Sequence, residues 1–209
     1  MEAEVYTVGY ANRSIEQFIA LLRDNSITAI ADVRSQPYSK FNSEFTSDSL
    51  RAILKKAEIG YVFLGKELGA RAAGDQYYVA GKVQYDLIAA RPSFQAGLDR
   101  IDKGRKDHRI ALMCAEMDPL DCHRCILVGR HLAGRGIPIL HILETDTVER
   151  HESTLRRLVQ LLRIQDAWKT QNDEEDFLMA YQIQGERIAF HQAPVEIPQY
   201  ELWAQGSSQ

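Results

Sequence analysis

Apolar residues in this chain come in short blocks whose spacing changes between two and roughly three to four, so the pattern predicts strands alternating with helices. Val5-Tyr6-Thr7-Val8 is β-rich and stops at Gly9, as a buried strand ending in a turn does. Behind it, Ser14 and Gln17 have capping-box spacing, and Ile15, Phe18, Ile19 and Leu22 repeat along one helical face. Residues 28–33 predict a second strand, followed by a polar loop over 34–40. Thr46 or Ser47 caps the next helix, whose inward positions are Leu50, Ile53, Leu54 and Ala57 and which stops near Gly60. Tyr61-Val62-Phe63-Leu64 reads as the third strand.

Residues 65–81 carry glycines, charges and Tyr77-Tyr78 without a period, which predicts an irregular loop covering the site. Residues 83–103 read as helix with a break at Arg91-Pro92, and residues 110–113 as the fourth strand. Asp118-Pro119 supplies a cap and a first-turn proline for a helix closed by Gly134 and Gly136, and residues 137–142 form the fifth strand. Strands separated by helices imply parallel crossovers. The predicted fold class is α/β, an open, mostly parallel sheet of about five strands flanked by helices. Residues 1–145 make that core; residues 146–209, with Leu155, Leu158, Leu161 and Leu162 at helical spacing, make a helical extension packed on it, and the tail frays from Glu201.

An open parallel sheet binds ligands beyond the carboxyl ends of its strands. Four polar clusters fall there: Tyr10-Ala11-Asn12-Arg13, Asp32-Val33-Arg34, Cys114-Ala115-Glu116, and His141 with Glu144. Arg13, Arg34 and Arg124 beside helix amino termini make an anion-binding field, although each has an ion-pair reading as well. Asp32 either orients Arg34 or acts as an acid or base. Glu116 follows strand and thiol directly and is the preferred proton carrier, with His123 or His141 as partner; its alternative is a cap or salt bridge.

Cys122 has two readings that depend on where the helix starts. In a first turn capped by Asp121, the helix dipole and Arg124 or His123 make it a thiolate nucleophile. In a helix starting at Pro119, it shares a packed face with Cys125, Ile126, Gly129, Leu132 and Ala133. Cys122-His123-Arg124-Cys125 is formally a C-x-x-C motif, but a structural zinc wants four ligands, and Cys114, His123 or His131 would have to complete it, so no metal is assigned. No phosphate loop with lysine, no G-x-G-x-x-G and no G-x-S-x-G occurs, and no cofactor is identified.

Composition changes the picture in two places. Three cysteines in 209 residues are poor material for a disulfide framework, and the start, Met1-Glu2-Ala3-Glu4, lacks a basic signal region, so a soluble, cytoplasmic protein without membrane contact is expected. A net charge of −4 opposes a surface built wholesale for nucleic acid.

Thr7 to Ser14, Asp32-Val33-Arg34-Ser35 with Pro37 and Ser39, Cys114-Ala115-Glu116, Pro119, Cys122-His123-Arg124 and His141-Ile142 together resemble the uncharacterised family called domain of unknown function 488. The His151-Glu152 helix and residues 180–190 are similar to its C-terminal part. The resemblance implies a fold and a shared polar edge but no settled reaction. Cys125 stands where the family often has serine, which weakens a dithiol mechanism as its general purpose.

Two classes of function follow. The first is an enzyme, hydrolase or transferase, that binds a small anionic or nucleotide-like substrate through Tyr10, Asn12, Arg13, Asp32, Arg34, Arg124 and His141. Glu116 and His123 then move protons, and Cys122 or Cys114 is the nucleophile, with sulfur transfer as a related mechanism. The second is a non-catalytic module for a nucleotide or nucleic acid, using basic loops at 34–40 and 103–109 and Tyr38, Phe41, Tyr77 and Tyr78 for stacking. Oligomeric state is left open.

Overall fold

Ser14 takes an extended conformation and closes both halves of its capping box with Gln17, and this fixes where the first crossover helix leaves the sheet. In the computed structural model, which describes residues 3–39, 42–168 and 172–192, this helix, α1 (Ile15–Asp24), links β1 (Val5–Gly9) to β2 (Ala29–Asp32). Next come α2 (Ser47–Lys56), β3 (Gly60–Phe63), α3 (Gly65–Leu68), a small hairpin of β4 (Tyr78–Val79) and β5 (Lys82–Val83), α4 (Tyr85–Ala89) and α5 (Pro92–Gly104). The chain continues through β6 (Ile110–Cys114), α6 (Arg130–Ala133), β7 (Ile139–Ile142), β8 (Val148–Arg150), α7 (His151–Leu162), α8 (Ile164–Trp168) and α9 (Asp173–Ile188). Lys40, Phe41 and the expected tail from Glu201 lie outside the described residues.

The central sheet runs β3-β2-β6-β1-β7-β8, with β8 antiparallel to β7 and the other neighbours parallel. The fold is α/β, and five parallel strands match the expected number. The sixth, β8, is only three residues long and mostly exposed, too short to stand out by alternation. Among the described residues no helix is long and apolar enough to cross a membrane.

Successive strand residues point to opposite faces, so two cores form. Tyr6, Val8, Ile30 and Met113 pack with Phe18, Leu22, Leu50 and Leu54 of α1 and α2. On the other face Val5, Ala31 and Leu112 pack with Leu68, Phe94 and Leu98 of α3 and α5. A third cluster seats Leu155, Leu158, Ala180 and Tyr181 of α7 and α9 on Leu120, Cys125 and Ile126.

Two local expectations are corrected. The segment 65–81 is not wholly irregular, since it holds α3 and β4, both too short to show a period. The helix expected from Pro119 is broken in two: Pro119–Asp121 makes one 3-10 turn, Cys122 is extended at φ −134° and ψ 138°, and Arg124–Gly129 is π-helical before α6. Asp118 does cap, its Oδ1 accepting from Leu120 N–H at 2.8 Å, but the extended Cys122 restarts the helix three residues later.

Candidate functional site

The carboxyl ends of β1, β2 and β6 enclose a hollow of about 290 Å³, whose wall includes Tyr10, Arg34, Cys114, Glu116 and His123. The register explains the convergence, because Gly9 pairs with Cys114 and Asp32 with Met113, which brings the residues after all three strands to one lip. A larger, more open hollow of about 1010 Å³ lies beside α6, α7 and α9. Size alone does not make a reaction centre, and the thiols and carboxyl meet at the smaller one.

Asp32 and Arg34 are both buried and paired through two contacts, Nη2 to Oδ2 at 2.6 Å and Nε to Oδ1 at 2.9 Å. Arg34 Nη1 also donates to Tyr10 Oη and to the Phe45 carbonyl, and Tyr61 Oη donates to Asp32 Oδ2. Burial disfavours the guanidinium charge, but the Asp32 carboxylate more than offsets it and holds the Arg34 pKa above its usual range. Asp32 therefore orients Arg34, whose edge reaches the hollow.

Arg124 and Arg13 serve other purposes. Arg124, fully buried, donates to the carbonyls of Glu116 at 2.6 Å and Met117 at 2.8 Å, so it clamps the loop that carries Glu116. Arg13 binds Asp146 at 2.6 Å and the carbonyls of Leu143 and Glu144, and with Asn12 it lines a separate hollow of about 410 Å³. His141 pairs with Thr7 inside the sheet and is buried away from the lip. The hollow thus brings together Tyr10, Arg34, Cys114, Glu116 and His123 but not Asn12, Arg13, Arg124 or His141.

Cys122 sits directly behind this wall, 1% exposed. Its extended backbone lies one residue ahead of His123, the cap position of the π-helix: its carbonyl accepts from Cys125 and Ile126, and its Sγ accepts from Arg124 N–H at 3.4 Å. Cys122 thus lies neither in a first turn capped by Asp121 nor on one helical face with Cys125 and Ile126: it packs in a different core cluster from theirs, immediately ahead of the helix. Its Sγ lies 3.0 Å from Glu116 Oε2, and His123 Nδ1 is 3.8 Å from both Cys122 and Cys114 sulfurs. Glu116 is exposed as a residue, yet its carboxyl bends inward onto the sulfur. His123 Nε2 faces the Val33 carbonyl at 2.9 Å, an acceptor only, so Nε2 carries a proton and Nδ1 faces the thiols.

The electrostatics follow from these contacts. Burial pushes the Cys122 thiol up, but a hydrogen bond from Cys114 and the charges of Arg124 and His123 outweigh it and hold Cys122 well below the usual thiol range. Cys114 is held well above that range by its hydrogen bond to Cys122 and by burial. Burial, then the Cys122 charge, raises Glu116, while His123 is raised by the Cys122 charge against its own burial. A thiol held low beside a second thiol, a carboxyl held high and an imidazole held high is an arrangement that can supply a nucleophile with a proton donor next to it. The ligand atoms of Cys114, Cys122 and His123 all lie within 4.8 Å of one another, so this trio is also a candidate for a metal ion.

Sequence reasoning missed Arg71, Tyr85 and Phe190, which also line the hollow. Arg71 N–H donates to Ser35 Oγ at 2.9 Å, and its guanidinium lies 4.2 Å from the Phe190 ring centroid. No local signal marks Arg71, because its place depends on a contact with Ser35 in the distant loop after β2.

Residues 14–131 match the family described as Domain of unknown function DUF488. No curated protein and no solved structure matches the chain.

Proposed function

The chain belongs to the DUF488 family, and we propose that it is a thiol-dependent transferase or hydrolase acting on a small anionic substrate at the lip of β1, β2 and β6. One observation carries this reading: Cys122 Sγ, at a helix start, lies 3.0 Å from the Glu116 carboxyl at the wall of a hollow. The exposed Arg71 and the edge of Arg34 are the cations on that wall that face an anionic group.

In the reaction, the Glu116 carboxyl swings off the sulfur and lets the substrate reach it. Cys122 Sγ forms a bond to the electrophilic atom as the bond to the leaving group breaks, and Glu116 gives that group its proton. The Glu116 carboxylate then takes a proton from water or from an acceptor, whose oxygen, nitrogen or sulfur displaces Cys122 and restores both groups. Water gives hydrolysis and another acceptor gives transfer.

Sulfur transfer is favoured by one further observation: the Cys114 thiol lines the hollow beside Cys122 and can take over a sulfur atom. Mass spectrometry after exposure to thiosulfate separates the readings, since a persulfide on either thiol is expected only for sulfur transfer.

The main reading is tested by iodoacetamide labelling followed by peptide mass spectrometry, with a turnover screen of acyl and phosphoryl esters. Cys122 is expected to label at least ten times faster than Cys125, and Cys122→Ser to abolish turnover. Equal labelling of Cys122 and Cys125, or turnover undiminished in both Cys122→Ser and Glu116→Gln, sinks it.

A further inference from the structure

On the far side of the π-helix from the hollow, three metal-ligating side chains that the proposed reaction does not use meet in the interior. Cys125 comes from the π-helix, His141 from the middle of β7 and His151 from the start of α7. All three are buried, and Cys125 Sγ and one ring nitrogen of each histidine lie within 4.8 Å of one another. We propose that Cys125, His141 and His151 bind one thiophilic d10 metal ion, zinc(II) or copper(I), through Sγ, Nε2 and Nδ1 respectively.

The outer nitrogens support this assignment. His141 Nδ1 faces Thr7 Oγ1 at 2.7 Å, and His151 Nε2 faces Tyr181 Oη at 2.6 Å. A metal-bound histidine needs its other ring N–H on an oxygen acceptor that fixes its tautomer, and both rings have one. The same two contacts aim the inner nitrogens at each other, 2.7 Å apart, with Cys125 Sγ 3.9 Å from His151 Nδ1. Bond lengths of about 2.0 to 2.1 Å to nitrogen and about 2.3 Å to sulfur put tetrahedral ligand atoms about 3.3 and 3.6 Å apart. Seating the ion therefore requires the rings to part by about 0.6 Å, while the sulfur moves inward by about 0.3 Å.

The backbone gives a second, independent indication. Wide π-helical turns are rare and concentrate at functional sites. This one carries Cys125, and Gly129 on the same turn has no side chain where His151 packs: a methyl group there would lie 3.4 Å from His151 Cε1. His151 and Tyr181 also line the hollow of about 1010 Å³, which gives an ion a way in. Thiolate and imidazole select zinc or copper(I) over magnesium or calcium. Arg124 lies on the Thr7 side, its Nε 3.4 Å from Thr7 Oγ1, so copper(I) with one thiolate adds no net charge beside it, whereas zinc adds one.

The test uses the full chain loaded with zinc(II), or anaerobically with copper(I), passed through gel filtration and examined by X-ray absorption at the metal edge. One retained ion with a single sulfur and two imidazoles is expected, and the ion retained more tightly identifies the metal. Two sulfurs with one imidazole place the ion on Cys114, Cys122 and His123 and overturn the proposal, as does a failure to retain either ion. Cys125→Ser is expected to abolish retention while Cys122→Ser keeps it. Tyr181→Phe, which leaves every ligand in place, is expected to weaken the ion by about tenfold; unchanged retention in both Cys125→Ser and Tyr181→Phe also overturns the site. None of these readouts depends on thiol chemistry at the hollow.

Discussion

Gly9, the last residue of β1, lies against the main chain of Glu116 so closely that a methyl group on its Cα would overlap the Glu116 carbonyl and stand 2.9 Å from Met117 Cα. The same carbonyl accepts from Arg124 Nη1 at 2.6 Å, so strand end and buried guanidinium fix the Glu116 main chain from two sides. Because the obstacle is backbone, it cannot rotate away. Gly9→Ala is expected to cost about 1 to 3 kcal/mol of stability in urea unfolding, and to slow Cys122 labelling under conditions where the variant stays folded.

The pH dependence of labelling reports the Cys122 thiolate. Cys122 is held low, so its iodoacetamide rate is expected to reach half its plateau below the ordinary thiol value of about 8.5. Glu116→Gln replaces a carboxyl that offers its proton to the Cys122 sulfur with a weaker amide donor, so its inflection moves upward. A shift downward, measured by quenched labelling across pH 4 to 10, contradicts the proton-donating role proposed for Glu116.

Arg71 is expected to set the charge preference of the hollow. With Arg71 and Arg34 on the wall, anionic iodoacetate is expected to label Cys122 faster, relative to neutral iodoacetamide, than it labels free cysteine. Arg71→Glu should reverse that ratio severalfold, and added salt should shrink the difference in both proteins, since an exposed charge is screened. A ratio that ignores both changes removes the anionic-substrate part of the proposal.

The Asp32 and Arg34 pair is a structural joint whose arginine is part of the wall. Breaking one side of a buried pair costs about 3 to 5 kcal/mol because the other charge is left stranded. Asp32→Ala is expected to show a loss of that size by chemical denaturation. Adding Arg34→Met to it should recover part of the loss, a non-additivity that exposed pairs do not give.

Much of the site was legible because strand ends are local features. The β-rich run to Gly9, the apolar run into Cys114 and the step from Asp32 to Arg34 each mark a strand terminus in their own residues. A parallel sheet must bring such termini to one edge, and Tyr10, Arg34, Cys114, Glu116 and His123 do share the hollow there. Arg13 and Arg124 show the limit of that inference. A cation at a strand-to-helix junction looks the same in sequence whether it faces solvent or a carbonyl, and both here bind carbonyls.

By itself, the order of apolar and polar residues determined the α/β class, the alternation of strands and helices and the sheet edge where Tyr10, Arg34, Cys114 and Glu116 gather, because each depends on spacing over a few residues. Tertiary structure decided which cysteine meets Glu116, that Arg71 joins the wall, and that His141 and His151 close on Cys125. Those outcomes depend on strand order and on an extended residue at Cys122 that resets the following helix. Contacts between residues far apart in the chain are set by how the layers pack, and no local period records that.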